Sequence, residues 1–538
     1  MTSPATDLAK PVPPAGSVSR GSRIDDWWHR LMSTPARRRL WAWGGPAVVI
    51  VIAALTRLVD LANPAYLVFD EDYYVKDAWS LWNLGYSSTW PTGADASVES
   101  GDLGGYSDTA EFVVHPPLGK WIIGVGMRFF GPESPASWRI TTAVIGILAV
   151  ILLMVIARLL FRSTLLTTLA GMLFAIDGNA IVMSRVALLD NSVMFFALLG
   201  FLFVLLDRGW SETRLERWRA SREKLGRPGD WGPALWWRPW LVAAAVAFGL
   251  CSAVKWSGLY FLAGFAIYTL VIDALARRRA GVPHWFAGTV IKQAPVSFLL
   301  TVPVALAAHL STWTSWFLGE NGYLRQWATQ DGHAWTGIFS GVPASVQSWL
   351  HYQQITYQFH VTLTKPNDEQ ANPLGWLLLL NPTSLYSAEM NRGTDGCLAD
   401  TCGTYISGVP NPLIWWAAVL AIVYLAYRLL RHRDWRAGLI LAGFAFGYLP
   451  WLLYLDRTVF QFYTIAFEPY LLLALTLTIG RVLGSRNDPR SRRQERLRIT
   501  LVFLALAVLI SVYFYPVWTA LPVPIEFVRA HWWLSGWQ

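Results

Sequence analysis

Three consecutive carboxylates, Asp70, Glu71 and Asp72, follow the first long apolar run and stand among aromatic residues. Acidic side chains held against a bilayer have raised pKa values, and because they are costly there, a functional role is expected. A carboxylate of this kind can act as a general base towards a hydroxyl nucleophile. The alternative is structural: Asp70 or Asp72 would accept hydrogen bonds from the free N–H groups of a short interfacial helix.

Three basic residues, Arg139, Lys255 and Arg457, lie at the ends of apolar runs. The topology derived below places them on one side of a membrane, at the depth of Asp70 and Glu71. Guanidinium and ammonium groups bind phosphate oxygens, so this convergence predicts a site for the phosphate of a lipid-linked substrate. Taken singly, each residue has a simpler explanation, such as a side chain that snorkels to lipid headgroups.

His115 stands before two prolines in the segment His115-Pro116-Pro117-Leu118-Gly119-Lys120. Proline disfavours helix in the residue before it and suits the first turn of a helix. His115 is therefore predicted to be held just before an interfacial helix that carries Lys120. A solvated histidine at a corner of the chain is the alternative.

Four further polar residues carry weaker signals. Arg185 and Asp190 straddle the start of an apolar run, and we favour a structural ion pair between them over a functional role. His360 and Lys365 lie in a long polar loop that could reach the site as a lid, although such residues are more often surface residues than ligands.

The composition is that of a multispanning membrane protein. Hydrophobic residues make up 54% of the 538 residues, charged residues make up 15%, and the mean hydropathy is +0.35. A soluble protein of this length rarely has such a balance. The net charge of +9 does not indicate a nucleic-acid partner, because the basic residues fall between apolar runs and not along one patch.

Apolar runs of the length that spans a hydrocarbon core predict eleven transmembrane helices. They lie at 41–62, 137–161, 163–181, 185–206, 239–254, 257–275, 286–309, 412–430, 436–455, 460–480 and 499–517.

The charges between the runs predict the orientation. Every predicted inner connection is basic, whereas residues 63–115 carry nine acids and one lysine, and residues 311–411 carry seven acids and three basic residues. By the positive-inside rule the N-terminus is cytoplasmic, and both long loops and the C-terminal segment are extracytoplasmic. The predicted location is the cell membrane.

The chain is accordingly predicted to divide into five parts. Two amphipathic pieces in the first outer loop, Tyr73 to Leu84 and Pro117 to Phe130, should be interfacial helices, and a helix around Ala344 to Phe359 should pack as a lid. The parts are a disordered cytoplasmic tail (1–40), helices 1–7 with a catalytic first outer loop at 63–136 (41–310), a long outer loop (311–411), helices 8–11 (412–517) and an extracytoplasmic tail (518–538).

Three cysteines are too few for a disulfide scaffold. Cys397 and Cys402 stand five apart in a polar loop, and we favour a disulfide between them over free thiols because the loop is predicted to face an oxidising compartment. Cys251 lies in an apolar run and is most simply a core residue.

The motifs in combination resemble the protein O-mannosyltransferases, which are glycosyltransferases of the GT-C fold. The resemblance rests on Phe-Asp-Glu followed by Tyr-Tyr-Val-Lys, on His-Pro-Pro-Leu-Gly-Lys, on the Ser-Arg…Leu-Leu-Asp element that ends at Asp190, and on Ala-Val-Lys-Trp-Ser-Gly-Leu. The Trp- and Arg-rich composition, the polar N-terminal tail and the lack of an inserted β-trefoil domain resemble the actinobacterial members.

The resemblance implies transfer of mannose from polyprenyl-phosphate mannose to Ser or Thr hydroxyls of proteins that cross the membrane. It implies that Asp70 is the general base and Glu71 its acidic companion, and that Arg139 is near the lipid phosphate. His115, Pro116 and Lys120 then belong to a shared loop motif, and Lys255 and Arg457 are phosphate contacts.

The chemistry of the residues is compatible with this reaction. One carboxylate on the acceptor side and cations on the donor side form a single-displacement arrangement, which predicts inversion at the sugar carbon. Glu71 is expected to orient the peptide, the sugar or a helix end. No cofactor is expected; a divalent metal bridging Asp70 and Glu71 is conceivable but not favoured, because no third ligand with suitable spacing is evident.

Two alternatives remain open on the sequence. One is another GT-C transferase that uses the same donor but modifies a lipid or a glycan. The other is a transporter for lipid-linked sugar, whose polar residues would lie near the bilayer midplane. The expected partners are the donor lipid, Ser- or Thr-containing polypeptides and membrane lipids, with the translocation channel left open and no nucleic acid.

Overall fold

The structure is a computed structural model that describes residues 21–224, 226, 231–394, 396–485 and 487–538, and it is predominantly helical. The helices are α1 (Arg23–Leu31), α2 (Pro35–Leu58), α3 (Glu71–Leu84), α4 (Ala94–Glu99), α5 (Leu118–Phe130), α6 (Pro135–Phe161), α7 (Thr164–Ala175), α8 (Gly178–Arg185), α9 (Asp190–Lys224), α10 (Pro239–Val254), α11 (Gly258–Arg279), α12 (Trp285–Ala287), α13 (Ala294–Ser311), α14 (Thr314–Leu318), α15 (Ala344–Thr362), α16 (Pro373–Trp376), α17 (Pro412–His432), α18 (Trp435–Tyr448), α19 (Glu468–Leu483), α20 (Arg490–Trp518) and α21 (Ile525–Arg529).

Within the described residues, eight helical segments are long and apolar enough to cross a membrane, and α7 with α8 makes a ninth if this bent pair is one span. The other two predicted runs correspond to α10 and α19, of 16 residues each. The multi-pass helical architecture predicted from the sequence is confirmed.

The bend between α7 and α8 has a local cause. Asp177 lies between the two helices, which meet at 60°. One of its carboxylate oxygens accepts from the amide of Asn179 at 3.0 Å, and the other accepts from the amide of Asn411 at 3.1 Å. An aspartate that caps a new helix inside an apolar run interrupts the first helix at that point.

Aromatic side chains fill the centre of the bundle where α9 packs on α10 and α11. The rings of Phe248 and Phe265 stack at 5.3 Å, and Phe201 contacts Tyr470 at 5.1 Å. Gly200 allows this packing, because a Cβ there would lie 2.4 Å from the ring of Phe248.

The first long loop contains the two predicted interfacial helices, α3 and α5. They pack on each other through Trp82, whose indole N–H donates to the carbonyl of Trp121 at 3.0 Å. A Cβ on Gly124 would lie 1.9 Å from the Trp82 ring, so the close approach depends on this glycine.

The second long loop contains α15, which begins where it was predicted and ends three residues later, at Thr362. It also contains strands that the all-helical prediction omitted. β1 (Ser384–Asn391) pairs antiparallel with β2 (Thr401–Ser407), and β2 pairs with β3 (Val523–Pro524) of the C-terminal segment. A disulfide joins Cys397 to Cys402 beside the turn between β1 and β2, with the two Cα atoms 5.7 Å apart.

The predicted disordered tail differs from the structure over part of its length. Residues 1–20 lie outside the described residues, but Arg23–Leu31 form a helix. Ser22 and Asp25 make a reciprocal capping box at its start. Asp25 also pairs with Arg493 of α20, at 3.0 Å. The composition of the tail predicted disorder over this segment as well. The prediction missed the helix because the arginine that pairs with Asp25 comes from the other end of the chain.

Candidate active site

The acidic segment is built so that Asp70 is not used to cap a helix. Phe69 has a left-handed backbone conformation (φ 51°), and Asp70 is the residue immediately before α3. Its carboxylate makes no capping hydrogen bond and instead accepts from the hydroxyl of Tyr74 at 3.3 Å. For Asp70, the structural alternative of a capping carboxylate is therefore excluded.

Glu71 points the other way, into the protein. Its side chain and that of Arg139 are both fully buried, and they form a bidentate ion pair with distances of 2.9 and 2.8 Å. The carboxylate also accepts from the backbone amides of Val68 and Ala187, at 2.9 and 2.7 Å. Glu71 thus connects the acidic segment to the chain between α8 and α9. A metal bridging Asp70 and Glu71 would have to displace these donors.

Arg139 does not occupy the position that the sequence predicted for it. Besides Glu71, its guanidinium donates to the carbonyls of Pro64 and Tyr66, at 2.8 and 2.7 Å. With no exposed surface and with these hydrogen bonds in place, it is not available to a phosphate. Its role as a phosphate contact is corrected to that of a buried support for the acidic segment.

Lys255 pairs with Asp190, with 2.7 Å between the ammonium and the carboxylate. The ammonium also lies 4.6 Å from the centre of the Tyr463 ring. Lys255 stands in a tight turn between α10 and α11, where a Cβ on Gly258 would lie 2.4 Å from the amide of Ser252. A side chain at this position would clash with the backbone, so glycine permits the turn that brings the lysine to the start of α9.

The predicted ion pair between Arg185 and Asp190 is wrong. Arg185 donates to the carbonyls of Val59 and Asp60, each at 2.7 Å, while Asp190 pairs with Lys255. The two residues lie on either side of the break between α8 and α9, so their side chains point to different neighbours.

Arg457 is oriented by His360 of α15. The guanidinium donates to Nδ1 of His360 at 3.0 Å, and Nε2 of the same ring is 2.9 Å from the carbonyl of Val114. Because arginine only donates and a carbonyl only accepts, His360 must be neutral with its proton on Nε2. The Nε of Arg457 is buried and has no hydrogen-bond partner among the described residues.

His115 lies beneath this pair. Its ring stacks on that of His360 with 5.3 Å between centroids, and its Nδ1 is buried without a partner among the described residues. Lys120 donates to the carbonyl of His115 at 3.0 Å and lies 3.8 Å from Asp77. Lys120 therefore supports the backbone turn at His115 and Pro116 through the protein interior.

Five of the polar residues described above line one cavity of about 240 Å³. Its polar wall contains His115, Asp190, Lys255, His360 and Arg457. Its other lining residues are Trp256, Ser257, Leu259, Tyr260, Tyr357, Val361, Trp451, Tyr454 and Tyr463.

Asp70 lies beside this cavity. It shares its neighbourhood with Lys255 and Asp190, and Tyr74, to which it is hydrogen-bonded, has its ring 6.2 Å from that of His115. Burial raises the pKa of Asp70; the Lys255 ammonium opposes this shift and the Asp190 charge adds to it. A carboxylate with a raised pKa is a better proton acceptor than an ordinary one.

The other titratable groups of the site divide clearly. Burial and then the charge of Asp70 raise the pKa of Asp72 to about 7, but the other charges near Asp72 are Lys76 and Asp95, which do not line the cavity. Burial, together with the nearby cations, lowers the pKa of His360 to about 4 and lowers that of His115 well below its usual value. Both histidines are therefore neutral near neutral pH.

Six of the predicted site residues do not line the cavity: Asp70, Glu71, Pro116, Lys120, Arg139 and Lys365. Several residues that do line it were not predicted. The side chain of Lys365 is exposed and does not line the cavity. The unpredicted lining residues are Trp256, Ser257, Leu259, Tyr260, Tyr357, Val361, Trp451, Tyr454 and Tyr463. Tyr74, the hydrogen-bond partner of Asp70, was not predicted either. Tyr74 could have been found, because it stands four residues after Asp70 in a helical pattern and so shares its face.

Two protein-family models match the chain. The one described as the C-terminal four TMM region of protein-O-mannosyltransferase matches residues 345–537. The one described as dolichyl-phosphate-mannose-protein mannosyltransferase matches residues 114–221.

Curated relatives match nearly the whole chain. The polyprenol-phosphate-mannose–protein mannosyltransferase of Mycolicibacterium smegmatis (strain MKD8) is 32% identical over 508 residues, which cover 93% of this chain and 94% of the relative. The chain belongs to this mannosyltransferase family. The protein of the same name from Mycobacterium tuberculosis (strain H37Rv) is 31% identical to this mannosyltransferase and covers 93% and 92% of the two chains.

The fold of the mannosyltransferase agrees with a solved structure. The Saccharomyces cerevisiae protein O-mannosyltransferase Pmt1-Pmt2 complex bound to the sugar donor matches with a TM-score of 0.67 at 15% identity, over 99% of this chain and 97% of that one. The GT-C fold expected from the motifs is confirmed.

The buried pair of Glu71 and Arg139 predicts a large loss of stability when it is broken. We expect Arg139→Ala to lower the free energy of unfolding by about 3–5 kcal/mol, because it leaves a buried carboxylate without its partner. The measurement is chemical unfolding of the purified mannosyltransferase in mixed micelles.

The control is Arg392→Ala, which breaks an ion pair with Asp400 whose two side chains are 72% and 97% exposed. This variant should unfold like the wild type. If Arg139→Ala behaved like the control, the guanidinium would not be a structural support.

Proposed function

We propose that the protein transfers mannose from polyprenyl-phosphate mannose to Ser or Thr hydroxyls of polypeptides on the extracytoplasmic face of the cell membrane. The observation that carries the proposal is the position of the uncapped Asp70 carboxylate, which lies near Lys255 and beside the cavity that Lys255 and Arg457 line. The relatives are named for this donor and for protein acceptors. The acidic long loops support the assignment of the face.

In the proposed reaction Asp70 acts as the general base. Its carboxylate takes the proton of the acceptor hydroxyl, the hydroxyl oxygen bonds to the anomeric carbon, and the bond from that carbon to the phosphate oxygen breaks. The electron pair leaves with the phosphate. One displacement with one base inverts the sugar carbon.

The leaving phosphate needs positive charge and no acid, because a phosphodiester leaves as a weakly basic anion. Arg457 supports this role best: its Nε is buried without a partner in the described part of the chain, and neutral His360 holds the guanidinium in place. Lys255 is already paired with Asp190, so Asp190 orients the ammonium and moderates its charge. His115 is the candidate for a contact to the sugar or phosphate, because no described residue is a hydrogen-bond partner of its buried Nδ1.

Glu71 has a different task in this proposal from the one expected of it. Its side chain is fully buried, and each carboxylate oxygen accepts hydrogen bonds from Arg139 and from a backbone amide, so it does not orient the peptide or the sugar. It holds the residue before it at the cavity. Two carboxylates adjacent in sequence thus serve two purposes, one facing the reaction and one facing the core.

Asp70→Asn should reduce turnover by about 10²–10⁴-fold, the usual contribution of a general base, while donor affinity stays unchanged. Turnover is measured by mass spectrometry of a Thr-containing peptide with synthetic donor, and affinity by titration of the donor. Asp72→Asn is the matched control and should retain most of the activity. Wild-type turnover in Asp70→Asn would exclude this base, and a mannosylated lipid in place of the peptide would point to another acceptor class.

The pH profile should show the raised pKa of Asp70. The base acts only when deprotonated, so kcat/KM is expected to fall as the pH decreases through this pKa, and the fall should lie above the range of an ordinary aspartate. Because the pKa of Asp72 is also raised, to about 7, the profile must be repeated with Asp72→Asn. A fall that disappears in this variant would assign the titration to Asp72.

Arg457→Gln and Lys255→Gln should each weaken donor binding by roughly 10–100-fold, since each removes a charge-assisted hydrogen bond to the phosphate. The comparison is with Arg431→Gln, which changes an exposed arginine in the last turn of α17. Equal donor affinity in all three variants would place the phosphate elsewhere.

A further inference from the structure

An apolar groove opens at the start of α2, where α1 turns back towards the bundle. Residues of α2 at helical spacing form its length, from Arg37 at one end to Ile52 at the other. Leu31 and Met32 of the α1 turn form one side, and Thr168 and Met172 of α7 form the other. The groove has a volume of about 640 Å³.

Small residues keep the groove open. Gly44 lies on its floor, and a Cβ at this position would have no heavy atom within 4 Å. At Gly45 a Cβ would lie 2.9 Å from the hydroxyl of Thr168, so this glycine lets α7 approach α2 beside the groove. Nothing in the described part of the chain fills the space above Gly44.

The end of the groove at Arg37 is strongly basic. Arg37, Arg38 and Arg39 are consecutive and exposed, and the first turn of α2 carries no acidic residue. Beyond this end, the lining residues of α2 are Leu40, Trp41, Gly44, Gly45, Val48, Val49 and Ile52. A ligand that fits must therefore carry an anionic head and an apolar chain.

The dimensions match one leaflet of a bilayer. Leu40 to Ile52 covers roughly 18 Å at 1.5 Å per residue, close to the ~15 Å of half a hydrocarbon core. Trp27 and Trp28 of α1 lie near the basic end, with Trp28 in edge contact with Trp41 at 4.8 Å between centroids. Tryptophan is typical of the interface between headgroups and hydrocarbon.

We propose that this groove binds one acyl chain of an anionic phospholipid whose phosphate is held by Arg37. The donor lipid bound at the active site does not explain this groove. The basic end of the groove is at the start of α2, whereas Asp70 follows the end of α2, and the 24 residues of the helix span roughly 36 Å. The site is thus separate from the cavity and does not depend on the proposed transfer reaction.

The test is native mass spectrometry of the full-length protein released from nanodiscs that contain equal amounts of phosphatidylglycerol and phosphatidylcholine. The wild type should retain one phosphatidylglycerol with about fivefold preference, the factor expected for one arginine near an anionic headgroup. Arg37→Gln should bring the ratio close to one. Gly44→Leu should fill the groove and remove the retained lipid of either class.

Two controls match these changes. Arg498→Gln alters an exposed arginine of α20, and Gly209→Leu places a side chain where a Cβ likewise has no heavy atom within 4 Å. Both should retain lipid like the wild type, and all four variants should keep the wild-type melting temperature and peptide mannosylation.

Three results would overturn the proposal. The first is equal retention of the two phospholipids by the wild type, or an Arg37→Gln ratio equal to that of Arg498→Gln. The second is displacement of phosphatidylglycerol by added polyprenyl phosphate in the wild type. The third is a dimer that Gly44→Leu dissociates, which would make the groove a contact between two copies of the chain.

Discussion

The buried ion pair of Glu71 and Arg139 is the interaction on which the site depends. It joins the start of α3 to α6, and through further hydrogen bonds of both side chains it also reaches Pro64, Tyr66 and Ala187. Three segments distant in sequence, residues 64–71, α6 and the chain between α8 and α9, therefore meet at one carboxylate and one guanidinium. A charge pair without exposed surface is costly to break, because a remaining partner would be buried alone. Because Glu71 also accepts from the amide of Val68, these contacts hold the backbone on both sides of Asp70.

With the backbone held in this way, the Asp70 carboxylate has no structural role as a cap. The helix that follows makes no use of its carboxylate as a cap, and burial raises its pKa. The side chains of Asp70 and Glu71 point in different directions because the chain enters a helix at this point, with Phe69 in a left-handed backbone conformation. One acid turns to the core and is neutralised, while its neighbour stays beside the cavity. The same two residue types in a straight helix would not be separated in this way.

The cavity is completed by the second long loop. His360 of α15 contacts the carbonyl of Val114 in the first loop and accepts from Arg457, which lies between α18 and α19. His360 thus connects these two parts of the chain. Because the pKa of His360 is lowered to about 4, the ring stays neutral and can accept from the guanidinium over the physiological range. Lys255 is likewise held by a partner, Asp190, and not by the loop that carries it. Each cation of the cavity thus has an orienting group of its own.

The sequence by itself determined the membrane architecture, the interfacial helices, α15 as a helix, and Asp70, Lys255, Arg457, His115 and His360 as polar residues of interest. Hydropathy and helical spacing are local properties, so they can be read along the chain. Which cation meets which acid was decided only by the tertiary structure. Arg139 and Lys255 look alike as charges at the ends of apolar runs, yet one is enclosed with Glu71 and the other faces the cavity. The small sheet and the partner of α1 were hidden for the same reason, because each depends on residues far apart in the chain.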